Sequence, residues 1–210
     1  MFDFLAKGGV LVIPILFCSV VALAIFVERI IRFSKIKNHG SGLAENTIQM
    51  LNQGKKMDAR DMLVKSNAPM GRVLLQAIDV MDQDRDTLET VISNSTDEEV
   101  RDLSTYVQAL ATMGNIAPLL GLLGTVVGMI KAFMVIQQMG GKVNAAVLAG
   151  GIWEAMLTTA LGLSVALPVM IAHSYLISII EKHEAHLQWG SVMFMKTYDE
   201  TRLKGDGNAV

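Results

Sequence analysis

Three long apolar stretches alternate with polar ones along the chain, and their lengths suit membrane helices. The first runs from Val10 to Val27 without a charge. About 18 such residues cross ~30 Å of hydrocarbon as a helix. The second is uncharged from Leu103 to Ile130, and the third carries only Glu154 between Lys142 and Glu181. Both exceed one crossing, so each predicts a helix that projects beyond the bilayer. Paired glycines and an asparagine in Met139-Gly140-Gly141-Lys142-Val143-Asn144 predict the turn between them.

Three spans place the termini on opposite sides of a membrane. Arg29, Arg32, Lys35 and Lys37 crowd the end of the first span, whereas only Lys7 precedes it. Basic residues stay in the cytoplasm, so the N-terminus is expected outside and the C-terminus inside. Lys131 and Lys142 fall on the outer side and count against this orientation without reversing it. A cleaved signal peptide is the alternative for the first stretch. It would show a shorter apolar core and a small-residue cleavage site, whereas here the run meets Glu28-Arg29-Ile30-Ile31-Arg32.

The polar middle reads as helical. Leu43, Ile48, Met50, Leu51 and Met57 give a loose amphipathic pattern, and Asn67-Ala68-Pro69-Met70-Gly71 predicts a break. Asp86-Thr87-Leu88-Glu89 and Thr96-Asp97-Glu98-Glu99 each place a capping oxygen three residues before a glutamate, which predicts two helix starts. From Glu98 only Gly114 and Pro118 interrupt the pattern, so one helix is expected to run from there through the second span. The expected fold is an all-α integral membrane protein with long cytoplasmic helical extensions. Its parts are the N-terminal segment with the first membrane helix (1–33), a cytoplasmic helical region (34–102) and the second membrane helix (103–139). A periplasmic turn (140–145), the third membrane helix (146–181) and a cytoplasmic C-terminal helix and tail (182–210) follow.

Composition supports lipid as the solvent. Of 210 residues, 51% are hydrophobic and 18% charged, and mean hydropathy is +0.42. A net charge of -2 gives no reason to expect nucleic acid as a partner. The single cysteine, Cys18, excludes an internal disulfide and reads as a small apolar residue, with bulky Phe17 arguing against lipidation. Asp82, Asp84 and Asp86 resemble the start of a calcium loop. However, Thr87 stands where the turn needs glycine and Ser93 where closure needs glutamate, so a solvated loop is the better reading. Glu181, His183 and His186 read as a polar helix face rather than a metal site. No phosphate loop, nucleophile elbow or zinc motif appears, so neither an enzyme nor a cofactor is expected.

The third span, GIWEAMLTTALGLSVALPVMIAHSYLI, concentrates the chemistry. On a helical wheel Glu154, Thr158, Gly151, Gly162, Ala155, Ala166 and Thr159 share an arc of roughly 140°. In the second span Gly114, Gly121, Gly124, Thr125, Gly128 and Ala132 form a similar stripe. Small residues let membrane helices approach closely, so Gly121, Gly124, Gly128, Gly151 and Gly162 are expected to serve packing between copies of the chain. A threonine in a membrane helix ordinarily bonds back to its own helix. An intramembrane carboxyl is costlier and marks either an ion path or a structural pair. For Glu154 both remain open: a salt bridge to Lys142 or Lys131, or a ring of carboxyls facing a lumen. Thr125, Thr158 and Thr159 would then add hydroxyls to that lumen, but they do not exchange protons near neutral pH. Pro14, Pro118 and Pro168, one per span, are tolerated where neighbours re-satisfy the freed carbonyls.

LATMGNIAPLLGLLGTVVGMIKAF followed by GIWEAMLTTALGLSVALP resembles the ExbB/TolQ/MotA proton-channel family, and the N-terminal GGVLVIPILFCSVVALAIFVERIIRF resembles its three-span ExbB/TolQ branch. The resemblance implies a homopentamer in a bacterial inner membrane around a central lumen. That lumen would hold a single-span partner of the ExbD/TolR type, whose membrane aspartate carries the proton, with a TonB-like or TolA-like transducer downstream. The resemblance implies that Thr125 and Thr159 match family threonines lining the proton path and that Glu154 matches the family's lumenal glutamate, whereas Thr158 has no counterpart to carry over. The competing readings are a structural membrane scaffold and a partner-independent ion channel.

Overall fold

A computed structural model of the chain describes residues 9–37, 42–138 and 145–207. Among them seven helices follow in order: α1 Val12–Lys37, α2 Leu43–Asn52, α3 Lys56–Val64, α4 Pro69–Val80, α5 Arg85–Ser104, α6 Val107–Gln138 and α7 Ala145–Gly207. They fall into two compact units. Among the described residues, the first comprises 9–28 and Tyr106–Leu176, and the second comprises Arg29–Thr105 and 177–207.

The first unit has the inverted packing expected of a protein solvated by lipid. The buried positions of α6 include Gly114, Ala117, Gly121, Gly124, Gly128 and Ala132, recurring every three or four residues. Its large residues Leu119, Leu122, Val126, Ile130 and Phe133 are exposed. On α1, Ile15 and Ala22 are buried while Val20 and Leu23 are open. In water such a surface would be a severe aggregation liability. In hydrocarbon it costs nothing, and helices instead associate through close backbone contact at small residues. Helices over Val12–Ile36, Val107–Gln138 and Leu148–Glu200 are long and apolar enough to cross a membrane. At 1.5 Å per residue α7 is about 95 Å long, so part of it must lie outside any bilayer.

The second unit packs as soluble domains do. Leu63, Val73, Leu74, Ala77, Ile78, Leu88, Ile92, Leu187, Phe194 and Tyr198 form one core from α3, α4, α5 and α7. Pro69 opens α4 after an extended Ala68, because a residue before proline avoids the helical region. This is the break expected at Asn67–Gly71. Arg72 then reaches α5, where its Nε donates to Glu99 Oε1 at 2.5 Å, and its Nη1 donates to the Asn67 carbonyl at 3.2 Å.

Two expected helix starts and one expected continuity are corrected here. Helix α5 begins at Arg85, capped by Asp84, whose carboxylate accepts the Thr87 amide at 2.8 Å. The cap therefore stands two residues before the Asp86–Glu89 signature. Thr96–Glu99 lies inside α5, where Thr96 is buried and its hydroxyl meets that of Ser191 at 3.4 Å. A threonine three residues before a glutamate is compatible with both a cap and a helix interior, and burial decides. The helix expected to continue into the second span is interrupted at Thr105 and Tyr106, where Tyr106 takes φ 63°. Ser104 and Thr105 hydroxyls turn back to the Val100 and Arg101 carbonyls. Arg29 donates to the Asp102 carbonyl at 3.5 Å, and Arg32 pairs with the Asp102 carboxylate. Basic groups at a helix C-terminus are favourable, and local hydroxyl bonds compete with helix propagation.

The Thr87 amide, then the Thr87 hydroxyl, holds the Asp84 carboxyl below its usual 3.8. A depressed folded-state pKa contributes stability that is present above the unfolded value and lost as pH falls through the folded one. Asp84→Ala is accordingly expected to lower the melting temperature by a few degrees at neutral pH. The gap from wild type should close in strong acid, which thermal melts across pH would check.

Candidate functional site

The two glycine-bearing spans pack on each other within one chain. A methyl group placed on Gly121 would lie 3.0 Å from the Thr158 carbonyl oxygen and 3.0 Å from Thr159 Cα. On Gly128 it would lie 3.0 Å from Ala155 Cβ, and on Gly151 2.7 Å from Ala132 Cβ. On Gly162 it would meet the Ala117 carbonyl oxygen at 2.6 Å, and on Gly114 it would meet Val169 Cγ1 at 3.4 Å. Positions rise along α6 as they fall along α7, so the helices run antiparallel. The contact partner expected from the sequence was another copy. The structure instead uses these glycines to join α6 to α7 of the same chain.

The threonines separate into two kinds. Thr158 is 1% exposed. Its Cβ would be 2.6 Å from a methyl on Gly124, and its hydroxyl donates to the Ala155 carbonyl at 2.7 Å. Grouped with the lumen residues on the helical wheel, Thr158 is enclosed between α6 and α7 and lines no outer face of the chain. Thr125 and Thr159 are both partly exposed. The Thr125 hydroxyl donates to the Leu122 carbonyl at 2.6 Å, whereas the Thr159 hydroxyl crosses between helices to the Gly121 carbonyl at 3.0 Å. In an α-helix the carbonyl of residue 121 is also the acceptor for the amide of residue 125. One carbonyl therefore ties the Thr159 side chain to the turn that carries Thr125.

Glu154 stands nearer the start of α7. Its Oε1 is 3.6 Å from Lys131 Nζ of α6, with the glutamate side chain 32% exposed. Of the two readings open from the sequence, this geometry supports the ion pair. Lys142, the other suggested partner, lies outside the described residues, as does the turn at 139–144. Residues weighed for metal binding have other contacts. Asp82 accepts from Lys56 Nζ at 2.6 Å, His183 stacks on Phe33 at 5.9 Å, and His186 stacks on Trp189 at 6.1 Å.

Sequence reasoning missed the Gly121 carbonyl, because a backbone acceptor carries no residue signature and helix register decides which carbonyl a hydroxyl meets. Residues 65–189 match the MotA/TolQ/ExbB proton channel family, over more than half of the chain. The chain belongs to the MotA/TolQ/ExbB proton channel family. It is 26% identical over 166 residues to biopolymer transport protein ExbB-like 3 of Synechocystis, covering 78% of this chain and 79% of that protein. It is 27% identical over 175 residues to biopolymer transport protein exbB1 of Vibrio cholerae, covering 81% and 76%. Against biopolymer transport protein ExbB of Neisseria gonorrhoeae, identity is 41% over 85 residues, covering 40% and 38%. As a member of this family the chain is a membrane protein, and the matched residues include all of α6 and the apolar part of α7.

Proposed function

We propose that this chain is the proton-channel subunit of an inner-membrane energy-transducing motor, working as a homopentamer around the helix of an ExbD/TolR-like partner. The observation that carries this reading is the Thr159 hydroxyl on the Gly121 carbonyl, one turn before Thr125, with both threonines partly exposed among apolar residues. Hydroxyls and carbonyls can hold water and steer a partner acid, but they do not titrate near neutral pH. The one carboxylate between Lys142 and Glu181, Glu154, is paired with Lys131. A titrating group must therefore come from elsewhere, and a membrane aspartate on the partner supplies it.

In the mechanism we infer, a proton from outside neutralises that aspartate. The neutral acid moves past the apolar wall at lower cost than its anion, so the partner helix shifts or turns within the ring. The proton then leaves to the cytoplasm. Each charge moved through 100 mV releases about 2.3 kcal/mol, so successive protons sustain mechanical work. The partner's outer portion would deliver that work to a TonB-like or TolA-like transducer. Exposed Trp153 and Tyr175 support the placement of the third span. They lie about 33 Å apart along α7, one hydrocarbon thickness, and such rings favour the membrane interfaces.

Proteoliposomes test the division of labour. Chain purified with its native partner is expected to pass protons down an imposed potential, and chain alone is expected to be tight. Conduction by the chain alone would make it a self-sufficient channel. No conduction by either preparation would leave the scaffold reading.

A further inference from the structure

The start of α1 meets α7 at the Glu154 carboxylate. Gly9 takes φ 72°, a conformation that disfavours side chains. Glu154 Oε1 occupies the space that a Cβ at residue 9 would need. The first turn of α1 is built immediately after it, by the Val12 amide on the Gly9 carbonyl and the Ile13 amide on the Val10 carbonyl, each at 3.3 Å. A helix N-terminus carries partial positive charge and favours a nearby anion. The same carboxylate lies 3.6 Å from Lys131 Nζ on α6.

We infer that Glu154 is a positioning residue: a single carboxylate, set between the N-terminal end of α1 and the Lys131 ammonium of α6, fastens the outer ends of all three membrane helices together. Gly9 is part of the device, because beside the carboxylate it holds a φ of 72° that residues with side chains rarely adopt. Lys131 supplies the opposing charge. Paired in this way, Glu154 sets the spacing of the bundle. This role is independent of proton conduction, so a distance measurement tests it separately.

Spin labels at Val10→Cys and Met156→Cys, both exposed positions, report the α1–α7 spacing of the full chain in lipid. The labelled chain carries Cys18→Ser and is diluted with unlabelled copies, so only distances within one chain are read. Wild type is expected to give one narrow distance. Glu154→Gln, Lys131→Met and Gly9→Ala are each expected to lose it, and Lys131→Arg to keep it. A distribution unchanged in Glu154→Gln, or unchanged in Lys131→Met where the former fails to fold, would overturn the inference. So would equal losses for Lys131→Met and Lys131→Arg.

Discussion

Gly162→Ala is expected to prevent α6 and α7 from closing on each other. The added methyl would lie 2.6 Å from the Ala117 carbonyl oxygen, 3.1 Å from Gly121 Cα and 3.3 Å from Gly121 N. All three atoms are main chain of α6, so no rotamer change relieves the overlap and the helices must move apart. Overpacking that side chains can accommodate costs about 1–3 kcal/mol. Here the separation also loosens the neighbouring contacts at Gly121, Gly124 and Gly128, so the loss should reach or pass the upper end of that range. Thermal melts of the purified protein should show a large downward shift. Gly150→Ala is the control, since its methyl would find nothing within 4 Å and should leave the melt unchanged or slightly raised. A Gly162→Ala variant as stable as wild type would contradict the packing described.

Thr159→Val should have the largest effect on transport. Valine keeps the branched shape and removes the hydroxyl, so the Gly121 carbonyl loses its donor from across the interface. In the proposed path an apolar methyl then stands where a water or a partner acid would be held. Removal of one such interaction, about 1.4 kcal/mol, corresponds to roughly tenfold in rate. Proton flux through the chain with its partner is therefore expected to fall about tenfold or more. Thr159→Ser, which keeps the hydroxyl, should retain most of it. Thr158→Ser should change stability without this loss of flux, because Thr158 is shut between the helices. Equal flux in Thr159→Val and wild type would remove Thr159 from the path.

Much of the fold was legible because lipid leaves a simple pattern. Uninterrupted apolar runs give spans, and the Gly and Ala stripes at three- and four-residue spacing give the faces that touch. The stripe did not say which helix it touches. Gly121 against Thr158 and Thr159 depends on the turn that returns the chain, and periodicity carries no such information. The helical wheel placed Thr158 and Thr159 on one arc, yet one is enclosed and the other reaches a carbonyl, because a 100° step separates them. The interruption at Tyr106 was also hidden. No glycine or proline marks it, and it rests on side-chain bonds from Ser104, Thr105 and Arg29. Glu154 was recognised as exceptional from its surroundings, but choosing Lys131 required the register of α6 against α7.

Whether Thr125 and Thr159 face a water-filled passage can be read with a charged, water-soluble thiol reagent. It would be applied to Thr125→Cys and Thr159→Cys in a Cys18→Ser chain assembled with its partner in membranes. Reaction at both positions, accompanied by arrest of proton flux, is the predicted result, with Leu167→Cys on the exposed apolar face left unmodified. Inert cysteines at 125 and 159, alongside undiminished flux, would contradict it.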